Sequence, residues 1–371
     1  MQISHMEAVP LFFADQIISF ILRDSFALLR YVNDMTAIFN SLIALIPFFL
    51  LLPSEKTGDY FSPCERSMTD RFRGFFALLV ILHHMAQRVN AKGLLWIYYD
   101  TGFLAVAMFF FYSGFGLMKK GIRQREGYFR KRLPQLLIPY IVTMAVYWVF
   151  YSLSGDVKSL LSLLGEHFHN ESGISFLWYV FVYLGWVLFL GVCLRFMNKD
   201  RQILYCACVF ALCFVTFGVL VIPNFFWVYD TVIMIPLGCA WAYDEDRIVS
   251  LIHRHYRTVL SVSLVLFLMS FFGHWHPLLR VPAYMISSAA FMIFVNTASM
   301  KQRPQGKVLS FLGGISYEIY LLHGIPVTFL RGFIANEALW TLFVLIIAVI
   351  SAYLMHLLAA AVRRKPVPGS Q

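Results

Sequence analysis

Apolar residues fall in long blocks along the chain, divided by short polar loops. Residues 36–53 are almost wholly apolar, and as a helix they span about 27 Å, enough for the hydrocarbon layer of a bilayer. Ten apolar segments follow, approximately 74–91, 101–118, 135–153, 174–194, 203–222, 225–243, 257–273, 281–299, 310–330 and 338–362. The pattern predicts an all-α polytopic membrane protein with a ten-helix core and about one extra N-terminal transmembrane helix. Residues 1–30 mix apolar positions with Asp15, Arg23, Asp24 and Arg30, which suits an amphipathic segment lying in the membrane interface. The polar loop from Pro53 to Arg71 is the expected boundary between an N-terminal extension, residues 1–67, and the main membrane domain, residues 68–371.

Composition agrees with this class. The chain is 60% hydrophobic and 13% charged, whereas about a quarter of the residues in a soluble domain carry charge. The net charge of +10 would suit nucleic acid in a soluble protein, but in a membrane chain the position of each charge matters more than the sum. If the loop before the first core helix is cytoplasmic, alternate loops and the C-terminal tail hold 23 Lys and Arg. The opposite loops hold five: Arg88, Lys92, Lys158, Arg280 and Arg331. That bias predicts a multi-pass protein of the cell membrane with a cytoplasmic C-terminus, and it gives no reason to expect a nucleic-acid partner. The N-terminus lacks the basic region, apolar core and small-residue site of a cleavable signal peptide. The six cysteines fit neither a disulfide framework nor the spacing of a metal site, and no metal is expected.

Five motifs carry chemistry. In Arg73-Gly74-Phe75-Phe76-Ala77-Leu78-Leu79-Val80-Ile81-Leu82-His83-His84, an arginine and a histidine eleven residues apart lie on nearly one helical face, about 16 Å apart. A lone Arg at a helix end ordinarily snorkels to the interface. A second aligned ionisable group weighs toward a functional pair. On the charge-based topology, Arg73 lies at the cytoplasmic edge and His84 lies deep, toward the outer side. Phe109-Phe110-Phe111-Tyr112-Ser113-Gly114-Phe115-Gly116 permits close helix packing. Tyr128-Phe129-Arg130-Lys131-Arg132-Leu133-Pro134-Gln135 is a basic helix entrance, a topology signal that would also suit a nucleotide phosphate. Phe176-Leu177-Trp178-Tyr179 reads most simply as an interfacial aromatic belt. Gly313-Gly314-Ile315-Ser316-Tyr317-Glu318-Ile319-Tyr320-Leu321-Leu322-His323-Gly324 places Ser316, Tyr320 and His323 on one face of an expected helix. Glu318, inside that apolar span, needs a partner or water.

Taken together and in this order, the motifs resemble the acyltransferase 3 family of integral membrane acyltransferases, over residues 68–371. The resemblance implies transfer of an acyl group, usually acetyl from cytoplasmic acetyl-CoA, to a hydroxyl of a cell-envelope carbohydrate in a bacterial cytoplasmic membrane. It implies Arg73 and His84 as the essential pair with His83 adjacent, and Arg130 and Arg132, with Lys131 between them, as a donor dock. Ser113, Trp178, Ser316, Tyr317, Glu318, Tyr320 and His323 would line the path. His84 would serve as general base or as transient acyl carrier. Gln135 stands where many members carry a further Arg, and no extracytoplasmic hydrolase-like domain is appended. The acceptor would therefore reach the membrane itself, or a separate extracytoplasmic partner would complete the transfer. His167, His169, Asn170 and Glu171, and His274 and His276, are candidate rim residues on the outer side. The competing class is a transporter or lipid-linked-sugar flippase, with Arg73, His84, Glu318 and His323 along a substrate path. No inverted repeat and no matched pair of Gly/Pro-broken helices supports it.

Overall fold

The computed structural model describes residues 35–52, 54–56, 62–123, 127–157, 159–165 and 173–364. The expected amphipathic segment at 1–30 and the rim residues His167, His169, Asn170 and Glu171 lie outside them. The fold is all-α. Among the described residues, seven helices are long and apolar enough to cross a membrane, and an eighth span forms if one bent pair counts as a single crossing.

The chain opens with α1 (Met35–Leu51) and a short strand β1 (Ser54–Lys56), followed by α2 (Arg66–Ala86), which carries the Arg–His motif. Next come α3 (Gly102–Arg123), α4 (Tyr128–Leu153), the short α5 (Leu160–Gly165), α6 (Trp178–Phe196) and α7 (Asp200–Val221). The C-terminal half holds α8 (Met234–Tyr243), α9 (Glu245–Arg254), α10 (Tyr256–Gly273) and α11 (Arg280–Ser299), and then β2 (Gln302–Pro304). The last elements are α12 (Lys307–Gly314), α13 (Ser316–Leu322), α14 (Gly324–Phe329) and α15 (Glu337–Arg364).

Two expected spans are not continuous helices. Residues 225–243 form a 3-10 turn at Pro223–Val228, a loop, and only then the ten-residue α8. Asp230 and Thr231, both buried, occupy the loop. The ninth core segment breaks after Gly314, where α12 and the following helical stretch bend by 63°. It breaks again at His323, between α13 and α14. Two consecutive glycines followed by a serine are weak helix formers. Ser316 Oγ donates to Gly313 O at 2.9 Å, satisfying a carbonyl at the bend.

The glycines of the motifs are contact points. A side chain on Gly74 would lie 2.2 Å from Leu309 O, and one on Gly313 would lie 1.7 Å from Asp70 O, so α2 and α12 cross backbone to backbone. Gly114 and Gly238 do the same for α3 and α8, each facing a carbonyl of the partner helix at 2.1 Å. In lipid, where no hydrophobic force drives helices together, such close approach is a main source of association.

Loops collect at two ends of the bundle. At one, Lys119 pairs with Glu245 at 2.6 Å, Arg303 with Glu65 at 3.1 Å, Ser62 donates to Glu245, and β1 pairs antiparallel with β2. At the other, the Glu337 carboxylate accepts from the backbone of Asn90 and Ala91 and pairs with Arg331 at 2.7 Å. These are the two groups of loops that the charge count separates. Helix α1 runs from the second end, where its first turns pack, to the first end, where Leu50 O lies beside Gly306. At the second end Asn40 Nδ2 donates to Ala91 O at 2.7 Å, Leu94 N donates to Ser41 Oγ at 2.9 Å, and Thr341 Oγ1 donates to Asn40 Oδ1 at 2.9 Å.

Candidate functional site

Helix α2 begins with a charged turn at one end of the bundle and finishes with His83 and His84 near the other. Arg73 is held by Asp70, one turn earlier on the same helix, and its Nε is buried with no hydrogen-bond partner. His83 Nδ1 donates to Tyr98 O at 2.9 Å. Gln87, on the next turn, bridges the two imidazoles: its Nε2 lies 3.2 Å from His83 Nε2 and its Oε1 lies 3.3 Å from His84 Nδ1. The close approach of α3 requires Gly102, where a Cβ would lie 2.3 Å from the His83 ring. The His84, Phe176 and His323 rings pack against one another, His84 lying 4.0 Å from Phe176 and 5.2 Å from His323, and Phe176 5.5 Å from His323.

His83 and His84 border a cavity of about 320 Å³, within the range of small-molecule sites. Its polar lining comes from His83, His84, Gln87, Arg88, Asp100, Asp230 and Thr231, and its aromatic walls from Phe103, Phe176, Trp178, Phe226, Trp227, Tyr284 and Tyr320. Flat apolar faces interleaved with two carboxylates and one amide can hold a ring that is apolar on its face and hydroxylated at its edge. Beyond Tyr284, His274 stacks on that ring at 4.9 Å. Burial holds the His274 imidazole below the ordinary histidine range, only partly offset by its bond to Phe271 O and by the nearby Asp100 carboxylate.

A polar lane runs from this cavity toward Arg73. Tyr320, which donates to Phe176 O, has its ring 5.0 Å from that of Tyr179. The Tyr179 hydroxyl shares a hydrogen bond with Ser113, and both Tyr179 and Tyr112 lie within electrostatic reach of Arg73. The Tyr112 hydroxyl is buried without a hydrogen-bond partner.

The structure therefore brings His83, His84, Trp178, Tyr320 and His323 together and links them through Tyr179 and Ser113 to Arg73. It does not bring the remaining sequence candidates to the cavity. Arg130 and Lys131 are exposed in the first turn of α4, and Arg132 is half-buried within reach of Tyr128. The expected common face of the ninth helix is divided by its breaks. Ser316 closes the bend, Tyr317 OH donates to Leu136 O at 2.9 Å, and Glu318 turns to α15, where it accepts from His356 Nδ1 at 3.0 Å. Sequence reasoning missed Gln87, Asp100, Trp227 and Asp230. Asp230 carried a signal, since a carboxylate inside an apolar segment is expensive enough to suggest a function.

A helical membrane bundle with an aromatic-walled polar cavity, and a cation and an imidazole three turns apart on one helix, defines an integral membrane protein built around a polar cavity. The chain matches the family model of the acyltransferase 3 family, described as an acyltransferase domain, over residues 69–359, and it belongs to that family. It is a membrane acyltransferase. No curated protein and no solved structure matches the chain.

Proposed function

We propose that the protein moves an acetyl group from cytoplasmic acetyl-CoA to a hydroxyl of an envelope or exported carbohydrate, across a bacterial cytoplasmic membrane and with its C-terminus inside. The observation that carries this reading is the placement of His84. It faces a cavity walled by aromatic rings and carboxylates at one end of α2, with Arg73 three turns away at the other. The 23-to-5 bias of Lys and Arg supports Arg73 as the cytoplasmic end.

On this reading Arg130, Lys131 and Arg132 hold the phosphates of the donor at the inner surface. Guanidinium groups suit this because they offer paired donors to phosphate oxygens. Arg73, with its unsatisfied Nε, and the hydroxyls of Tyr112, Ser113 and Tyr179 line the way in. The carbohydrate lies against Trp178, Trp227 and Tyr284, its hydroxyls taken by Asp100 and Asp230. His84 removes the proton of the attacking hydroxyl as its oxygen bonds to the acyl carbon. The carbon–sulfur bond breaks, and His84 returns the proton to the departing thiolate, giving free CoA and the ester. The donor thus stays inside while its acyl group leaves on the other side.

The test is transfer of labelled acetyl by the purified chain in nanodiscs, together with mass spectrometry of envelope glycans from cells with and without it. The expected result is an acetyl mass difference that His84→Ala abolishes while folded protein remains. Full turnover by His84→Ala would refute this mechanism.

A further inference from the structure

We propose that Gln87 is a positioning residue that fixes the tautomer of His84, so that the Nε2 of His84 is kept free of hydrogen. The inference rests on His84 being the base of the transfer proposed above. Its argument starts from a group whose role is not adjustable. The carbonyl of Tyr98 can only accept, so His83 Nδ1, 2.9 Å away, carries a hydrogen. In the neutral ring His83 Nε2 is then a bare lone pair. Gln87, 3.2 Å from it, must present its NH2 group there. That orientation turns Gln87 Oε1 toward His84 Nδ1 at 3.3 Å. An amide oxygen only accepts, so His84 Nδ1 carries the hydrogen and His84 Nε2 carries none.

Each step follows from the one before, and none depends on assigning the amide independently. Reversing Gln87 would set its oxygen against the lone pair of His83 Nε2 and its NH2 against His84 Nδ1. The His84 proton would then move to Nε2 and the base would be lost. These tautomers presuppose neutral rings, and crowding favours them. His83 and His84 lie 4.8 Å apart and His323 lies 5.2 Å from His84, so charging more than one sets like charges together away from water. Arg88 and Asp100 border the same cavity as the two rings. A primary amide is suited to this place because it offers a donor to one ring and an acceptor to the other.

The experiment uses the full chain, labelled with [15N]histidine, in lipid nanodiscs near neutral pH. Its 15N spectra distinguish protonated from bare ring nitrogens, and His84→Gln assigns the resonances. In the wild type, His84 should show a protonated Nδ1 and a bare Nε2. In Gln87→Met both tautomers should appear. Its kcat for acetyl transfer should fall tenfold or more, part of the ~10²–10⁴ that a positioned base supplies, with KM for acetyl-CoA little changed. Gln87→Glu still accepts from His84 Nδ1, while its second oxygen draws a proton onto His83 Nε2, so it should keep the His84 tautomer, with the acid limb of kcat/KM displaced to higher pH beside the carboxylate. A wild-type His84 protonated at Nε2 would overturn the proposal, as would Gln87→Met with wild-type spectra and turnover. If Gln87→Met does not fold, the wild-type spectrum and the Gln87→Glu profile still decide. A wild type with the expected tautomer but no acetyl transfer would refute the proposed function and leave the role of Gln87 in setting the tautomer standing.

Discussion

Tyr98 holds His83 by its main chain and α1 by its side chain. Its carbonyl accepts from His83 Nδ1 at 2.9 Å, and its hydroxyl donates to Ala44 O at 2.6 Å. Helix α1 precedes the family-matched residues 69–359, yet it reaches the imidazole pair through a single residue. Gly93 opens the 3-10 turn Gly93–Tyr98 with a left-handed backbone, and a Cβ there would lie 2.2 Å from Ala37 O. The turn and α1 are therefore packed as one piece. A helix that lies before the family-matched residues braces the segment that holds His83.

Tyr98→Phe removes only the hydroxyl. The expected loss is about 1 kcal/mol of stability, the usual net value of one hydrogen bond, together with a several-fold fall in turnover, because the carbonyl facing His83 becomes less firmly placed. Thermal unfolding in detergent and acetyl transfer by the same preparation read the two effects. Unchanged turnover would mean that α1 supports the fold without reaching the site.

Glu318 provides a second test, because its placement differs from what its motif suggests. Its carboxylate accepts from His356 on α15 at 3.0 Å and stands away from the cavity lining. Glu318→Gln keeps an acceptor oxygen toward His356, so turnover per folded molecule should stay within about twofold. Glu318→Leu leaves the partner unpaired and should cost about 1–3 kcal/mol of stability. A tenfold loss of turnover in Glu318→Gln, at an unchanged folded fraction, would return Glu318 to the reaction path.

These cases show what the sequence could reveal. Long apolar blocks report their own burial in lipid, so α3, α4, α6, α7, α10, α11 and α15 were legible from hydropathy alone. The Arg73–His84 spacing was legible because both residues lie on one regular helix. Breaks were harder to see. The loop holding Asp230 lies within an apolar run, and its shape is set by packing rather than by local propensity. The partners of the site were hardest, since they converge from distant segments. Gln87 reads as an ordinary polar residue at a helix end, and the partner of Glu318 lies 38 residues further on.

His274 predicts a pH dependence. It sits between α10 and α11 with its Nδ1 donated to Phe271 O, and burial lowers its pKa. The unfolded chain therefore binds a proton at His274 more readily than the folded one. This contribution to stability is complete above the ordinary pKa of about 6.5 and is lost as the pH falls below it. Unfolding temperatures measured from pH 8 down to about pH 5 should drop more steeply for the wild type than for His274→Gln. Parallel curves would show that His274 takes up its proton equally in both states.

His323 offers the sharpest separation of stability from function. It is fully buried, its Nδ1 donates to Tyr320 O at 2.8 Å, and its Nε2 has no hydrogen-bond partner. A buried acceptor left unpaired costs about 1–3 kcal/mol, and such groups in a native structure call for an explanation. The stacking of this ring on His84 suggests one, because the bare nitrogen would serve the reacting hydroxyl or the proton on His84. His323→Phe keeps a flat ring of similar size against Phe176 and His84 while removing both nitrogens. The unpaired nitrogen disappears while Tyr320 O loses one donor, two opposed effects of similar size, so the unfolding temperature should change little. Turnover should fall by about tenfold or more, within the range assigned to acid–base groups. A lower unfolding temperature with turnover retained would make His323 a packing residue and leave His84 as the sole imidazole in the chemistry.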